Sequence, residues 1–495
     1  MQAKVLTFLI LSGVALGDYW SDRDKLIAIE ESQMLGSDVV LTEEEEAVNE
    51  FLMKDKLREY DSGFTNPRLF SPSRHFFEVR DNIEESNVFK FIKQMPKGGA
   101  LHGHDTSLLS YNALYNLTYE DNLYACTVNK RLKLKFMNAS VEDEECKWKL
   151  LSDLRKEDPY YDVWLQSQLT LVTENPREAY QDINEVWRAL DDVFETVTPL
   201  VTYRPVMETY VYQALLELYE DNVFYLEFRS TLPEVYELNG YVYNPIEVAG
   251  IYKKVADKFK QDYPDFIDVR LIYAPVRNVN NATVEEYVNI VNELEIRYPG
   301  FLVGFDLVGQ EDIGKPLSEF IQLIQTVSQN ISFIFHAGET NWFGSSTDLN
   351  LVDAILLGTK RIGHGYGLIK HPLLMALAKN KGIAVEVCPI SNQVLMLVED
   401  LRNHPAAHLI ASGYPIVVSY DDPSFWGSKG LSYDFYLAFM GMASRSSDLR
   451  LLKKLAENSF TYSALSVVEK RVAKRKWHKT WNTFIGTTYR SISRL

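Results

Sequence analysis

Several absences narrow this chain before any motif is read. Three cysteines are spread over 495 residues, and no two are spaced as CxxC. Zinc sites built on that pair are therefore excluded. Positive charge is also short: the formal net charge is −17 and the pI about 5.1. That argues against a general nucleic-acid binder, which needs a basic face to neutralise phosphates. Beyond the first residues there is no apolar run long enough for a membrane helix. No internal repeat or low-complexity tract stands out. What remains is globular: with 46% hydrophobic and 24% charged residues, a large core can form. The length exceeds one average domain and suits one large α/β domain with additions.

The opening "MQAKVLTFLILSGVALGDYW" reads as a secretory signal, residues 1–17, cut after Gly17. Secretion changes how other residues read. Cys126 and Cys146, twenty apart, become a candidate disulfide in an oxidising compartment. Sequons at Asn116, Asn138, Asn281 and Asn330 become candidate glycosylation sites. Cys388, in "GIAVEVCPIS", is expected to be a buried free thiol.

Residues 18–90 show helical patterning and no strand. Thr42 with Glu45 fits a capping box, and Val48, Phe51 and Leu52 make a narrow apolar stripe. That stripe must lie on the main body or on another subunit. Eight β-rich runs follow, at 98–105, 223–230, 268–275, 301–309, 331–339, 360–365, 383–391 and 415–423, most of them separated by helical segments. The alternation predicts a parallel sheet, and eight units predict a (β/α)8 barrel; a doubly wound open sheet is the alternative. The first two runs are about 120 residues apart, against roughly 25–45 for the others. An inserted lobe is therefore expected at 107–168. The barrel would comprise 91–106 and 169–495.

A barrel places its site at the C-terminal ends of its strands. Those ends carry His102, His104 and Asp105, then Gly309, then His336 and Glu339, then His364, and last Asp421 and Asp422. His102 and His104, two apart, share one face of a strand. Taken as ligands, His102, His104, His336 and Asp421 suit zinc better than iron or manganese. Glu339 and His364 remain for acid–base work on an activated water. His75, His371, His404, His408 and His478 fall outside this set.

The motifs "MPKGGALHGHD", "GFDLVGQED", "FHAGET", "RIGHGYGL", "VEVCPISN" and "SYDDP" resemble the adenosine deaminase family of metal-dependent amidohydrolases. The leader, helical extension and cysteine-pinned insertion resemble its secreted, growth-factor-related branch. The resemblance implies one Zn2+ per chain on His102, His104, His336 and Asp421, and attack of activated water on C6 of adenosine or deoxyadenosine. It implies that Glu339 protonates N1 and that His364 orients the nucleophile. It further implies that Asp422 contacts N7, that the Gly309 amide reaches N3, that Asp105 contacts the ribose, and that Trp187 shapes the pocket. It also implies homodimerisation through 18–90, receptor binding by the insertion, and an extracellular location. Two positions depart from the family pattern. Gly103 replaces a bulkier residue and is expected to loosen the strand end. Gln310 replaces an acidic residue or histidine and bears on substrate preference.

Three other readings are open. Adenine or AMP is the competing substrate, although no basic cluster for a phosphate is evident. A secreted signalling ligand acting without deamination is the competing class. The basic stretch "EKRVAKRKWHKTW" (469–481) is a candidate glycosaminoglycan contact, set against a plain solvated helix face.

Overall fold

Apolar segments rich in β-branched and aromatic residues form strands when both faces are shielded from water. Eight do so in the computed structural model, which describes residues 18–139 and 146–494. They are β1 (Gly98–Ala100), β2 (Val223–Ser230), β3 (Asp268–Tyr273), β4 (Leu302–Phe305), β5 (Ser332–Ala337), β6 (Arg361–His364), β7 (Ala384–Val387) and β8 (Ile416–Val418). Each pairs in parallel with the next in chain order. A parallel bridge between Gly103 and Asp421 brings the last strand back to the first. There the His104 N–H donates to the Asp421 carbonyl and the Asp421 N–H to the His102 carbonyl, both at 3.2 Å. The sheet is thus a barrel, not an open sheet.

The strands do not all present apolar side chains inward. In β2 every residue is buried, yet Glu227 and Arg229 alternate with Phe224, Leu226 and Phe228. Period two sends the charges to one face and the apolar residues to the other. The charges meet partners on β6, on β7 and directly after β4, described below.

The long β1–β2 connection carries an antiparallel sheet of three strands, Leu123–Val128, Arg131–Phe136 and Lys149–Leu150. The expected disulfide, Cys126–Cys146, is present, with Cα atoms 5.9 Å apart. Both cysteines pack with Trp148 in a small cluster of their own.

At the N-terminus lie α1 (Tyr19–Gln33) and α2 (Glu43–Thr65). The Thr42–Glu45 capping box forms as expected. Val48 and Leu52 are buried, and Phe51 is half-buried. The stripe lies on the chain's own C-terminal segment. Glu45 accepts from Lys453 and from the Trp481 indole, each at 2.6 Å, and Lys56 donates to the carbonyls of Ser444 and Ser447. By contrast α1 buries no residue and leaves Tyr19, Trp20, Leu26 and Ile29 exposed. The signal call, residues 1–17, lies outside the described residues, as does Ser140 of the Asn138 sequon.

Candidate metal centre

Four of the predicted ligands converge. The donor atoms of His102, His104, His336 and Asp421 all lie within 4.8 Å of one another. Asp421 Oδ1 is 3.1 Å from His102 Nε2 and 3.0 Å from His104 Nε2. His102 Nε2 and Asp421 Oδ1 are buried without a hydrogen-bond partner. A buried polar atom left unpaired is costly. A cation among these four donors would satisfy them, so the residues fit a metal ion. Three imidazoles and one carboxylate are a zinc-compatible set.

The ligands are aimed from behind. His102 Nδ1 meets Glu386 Oε2 at 2.7 Å, and His336 Nδ1 meets Asp306 Oδ2 at 2.6 Å. Each carboxylate accepts from Nδ1–H, which leaves the Nε2 lone pair facing the cluster. Arg229 joins the two supports, its Nε 2.8 Å from Asp306 and its Nη2 2.8 Å from Glu386. Arg361 ties Glu386 to Glu227, both contacts at 2.6 Å. All five charged side chains are fully buried. Despite burial, the guanidinium groups of Arg229 and Arg361 hold the Glu386 carboxyl well below the ordinary range.

The backbone is bent to serve this geometry. His364 and Asp421 have φ of +59° and +60°, a left-handed conformation that costs a non-glycine residue on the order of 1 kcal/mol. Gly363 leaves room between His336 of β5 and His102 just past β1: a Cβ there would stand 3.3 Å from His102 Cε1 and from His336 Cα, tighter than ordinary contact. Gly103 does not loosen its strand end, contrary to expectation. Leu108 and Tyr420 fill the space, each 3.0 Å from where a Cβ would stand.

Glu339 and His364 adjoin the cluster, with 3.5 Å between Glu339 Oε1 and His364 Nδ1. Burial, reinforced by the charges of Asp421 and Glu311, raises the Glu339 pKa well above the ordinary carboxyl value. Glu311 holds the Glu339 loop by accepting from the N–H groups of Gly338 and Glu339, at 3.1 and 2.6 Å. Asp422 is buried and accepts from Ser107. Gly309, φ +103°, has open space where a Cβ would stand. Next to it, Gln310 donates to Asn184 on α3 (Ile183–Val201), the helix that carries half-buried Trp187.

Asp105 is placed differently from its neighbours. Its Oδ2 accepts from Ser230 and from the Tyr252 hydroxyl, contacts that anchor the end of β1. Cys388 is free and buried as expected, and its thiol approaches His102, His364 and Asp421. Burial, with the charges of Asp421 and Glu386, pushes its pKa well up. The five excluded histidines stay out of the cluster among the described residues; His371, for one, pairs with Asp348 at 3.0 Å.

Sequence reasoning missed Asp306, Glu386, Arg229 and Glu311. A signal existed for three of them: Arg229, Asp306 and Glu386 are charges inside or directly after apolar strands.

Residues 165–476 match the family described as "Adenosine deaminase", and residues 12–92 match "Adenosine/AMP deaminase N-terminal". An adenosine deaminase of Aedes albopictus is 45% identical over 94% of this chain and 88% of its own. Adenosine deaminase 2 of Homo sapiens is 41% identical over 98% of each chain. Among solved structures, the Arabidopsis N6-mAMP deaminase superposes with TM-score 0.57 at 18% identity, covering 79% of this chain and 99% of that one. An amidohydrolase from Burkholderia ambifaria solved with bound Zn gives TM-score 0.56 at 17% identity, over 81% of this chain and 94% of that one. Motif order, barrel and full-length relatives agree, and the chain belongs to the adenosine deaminase family, in the branch that includes adenosine deaminase 2.

Proposed function

We propose that this protein is an extracellular, zinc-dependent deaminase that converts adenosine, and 2′-deoxyadenosine, to inosine or deoxyinosine and ammonia. One observation carries the reading: a buried three-histidine, one-carboxylate cluster with orphaned donor atoms stands beside the buried carboxyl of Glu339, whose pKa is raised. The relatives named adenosine deaminase support the substrate.

His102, His104, His336 and Asp421 would hold the ion, one per chain. When bound, zinc supplies Lewis acidity that activates water near neutral pH. Glu339, kept protonated by burial, donates its proton to purine N1, which makes C6 electrophilic. Water adds at C6, the bond from C6 to the exocyclic nitrogen breaks, and that nitrogen leaves as ammonia. His364 orients the attacking oxygen. Asp422 contacts N7 and the Gly309 amide reaches N3. Trp187 borders the nucleoside from α3. The contacts of Asp105 with Ser230 and Tyr252 favour anchoring the β1 end, with any ribose contact left to its other oxygen.

The surface fits the same setting. The disulfide suits an oxidising compartment, and the four sequon asparagines are exposed and available for glycans. The apolar side chains of α1 would be covered by a second copy in a homodimer. The lobe at 107–168 would engage a cell-surface receptor, and exposed Arg471, Arg475 and Lys479 a glycosaminoglycan. Growth effects would follow from depletion of adenosine.

Metal content and inosine formation, measured on wild type and Glu339→Ala, test the proposal. About one zinc per chain in both, with kcat lowered on the order of 10³-fold only in the variant, is expected. Zinc without turnover of adenosine would overturn the substrate.

A further inference from the structure

His364 ends a buried line of polar side chains that starts at a backbone amide. The Ala406 N–H lies 2.9 Å from His404 Nδ1. A backbone N–H can only donate, so His404 Nδ1 must carry a lone pair. His404 is buried, and burial holds its pKa down to about 3, so the ring is neutral and has one proton. That proton therefore sits on Nε2, which lies 2.9 Å from Asn392 Oδ1. The amide nitrogen of Asn392 is thereby turned toward His364 Nδ1, at 3.1 Å. Reversing the Asn392 amide would aim its N–H at the N–H of His404. The Glu339 carboxyl, 3.5 Å from Nδ1, is too far to replace this bond. His364 in its neutral form then carries its proton on Nε2, the atom 3.9 Å from Asp421 Oδ2 at the metal cluster.

We propose that Asn392 and His404 are positioning residues that lock His364 in its Nε2–H tautomer. His364 then meets the attacking oxygen as a hydrogen-bond donor and is not the base that removes its proton. This rests on the reading above, in which water adds to the purine at this cluster. The direction of the whole line is decided by one peptide N–H, which no change of pH reverses.

The isosteric change Asn392→Asp tests it. A carboxylate can only accept, so it would draw the His364 proton to Nδ1. Holoenzyme labelled with 15N at histidine reports the tautomer, with His364 assigned by difference against His364→Gln. Wild type is expected to show an unprotonated Nδ1, and Asn392→Asp a protonated one. In that variant kcat falls on the order of 10²-fold, with unchanged metal content. Its KM stays within about threefold, since substrate binding is untouched. His404→Gln, which keeps a donor toward Asn392, retains most of the activity that His404→Leu loses. A protonated Nδ1 in wild type, or an Asn392→Asp enzyme with unaltered tautomer and kcat, would overturn the proposal. A wild type with the Nε2–H tautomer but no inosine formation would leave the line standing and remove the substrate reading instead.

Discussion

Beneath the strand ends, Arg229, Arg361, Glu227, Asp306 and Glu386 are all sealed from water, each held by two or more partners. In the inserted lobe ion pairs reach the surface: Arg131 is 55% exposed in its pair with Asp192 and Lys149 48% exposed in its pair with Glu157, although Arg155 is tucked in against Asp162. The lobe is tied on one side by Cys126–Cys146 and a small apolar cluster, while Leu123, Ala125, Leu132, Leu134 and Phe136 join the main core. A buried charge has no solvent to fall back on, so removing one partner strands the others. A surface pair in water contributes about 0–1 kcal/mol, and its loss is local. The barrel floor should therefore fail as a unit, whereas loss of a surface pair or of the disulfide in the lobe should stay local.

The strongest way to break this contrast is Arg229→Met. It leaves Asp306 and Glu386 each short of a partner, and about 3–5 kcal/mol of stability should be lost. Urea unfolding measures this; a loss under 1 kcal/mol would mean that solvent reaches the floor. Next comes the lobe. Replacing Cys126 and Cys146 by serine should cost about 3 kcal/mol of local stability through loop-closure entropy. Proteolysis between the two positions should accelerate while kcat on adenosine stays at the wild-type value. A matching fall in kcat would show that lobe and site are one unit.

A smaller effect sharpens the picture of the floor. Asp306→Asn keeps the shape beside His336 but weakens the acceptor for its Nδ1 proton. Metal affinity should fall by about 10–100-fold, as for other supports of metal-bound histidines. Competition with a chelator reads it directly, and an unchanged affinity would reduce Asp306 to packing. The mildest test is pH. In the proposed reaction Glu339 works in its acid form, and burial raises its pKa above the ordinary value. The active form therefore persists to higher pH than an exposed glutamate would allow, and kcat/KM falls as pH rises through that raised pKa. The serine variant of the lobe should trace the same profile. A separate alkaline limit in that variant would tie the lobe to the acid.

Much of this was readable in the chain. The eight strands were legible because each is a short β-rich run bounded by turns, with helical patterning between most of them. The ligands were legible because histidines and carboxylates are out of place at the ends of apolar strands. Their supports were harder to see. Glu386 meets His102 across 284 positions, and Arg229 meets Asp306 across 77; periodicity says which face a charge takes but not which charge it meets. Gly103 shows the same limit. Its missing side chain suggested slack, yet Tyr420 and Leu108, brought in by folding, occupy the volume.

By itself the sequence determined the order of strands, which histidines and carboxylates gather at the strand ends, the cysteine pair and the family. These are properties of residue type and spacing. Only the tertiary structure decided where α2 lays its stripe, that the barrel floor is ionic, and which way the hydrogen bonds run from Ala406 through His404 and Asn392 to His364. Those outcomes depend on which atoms closure of the barrel brings within about 3 Å, the distance at which hydrogen bonds acquire a direction.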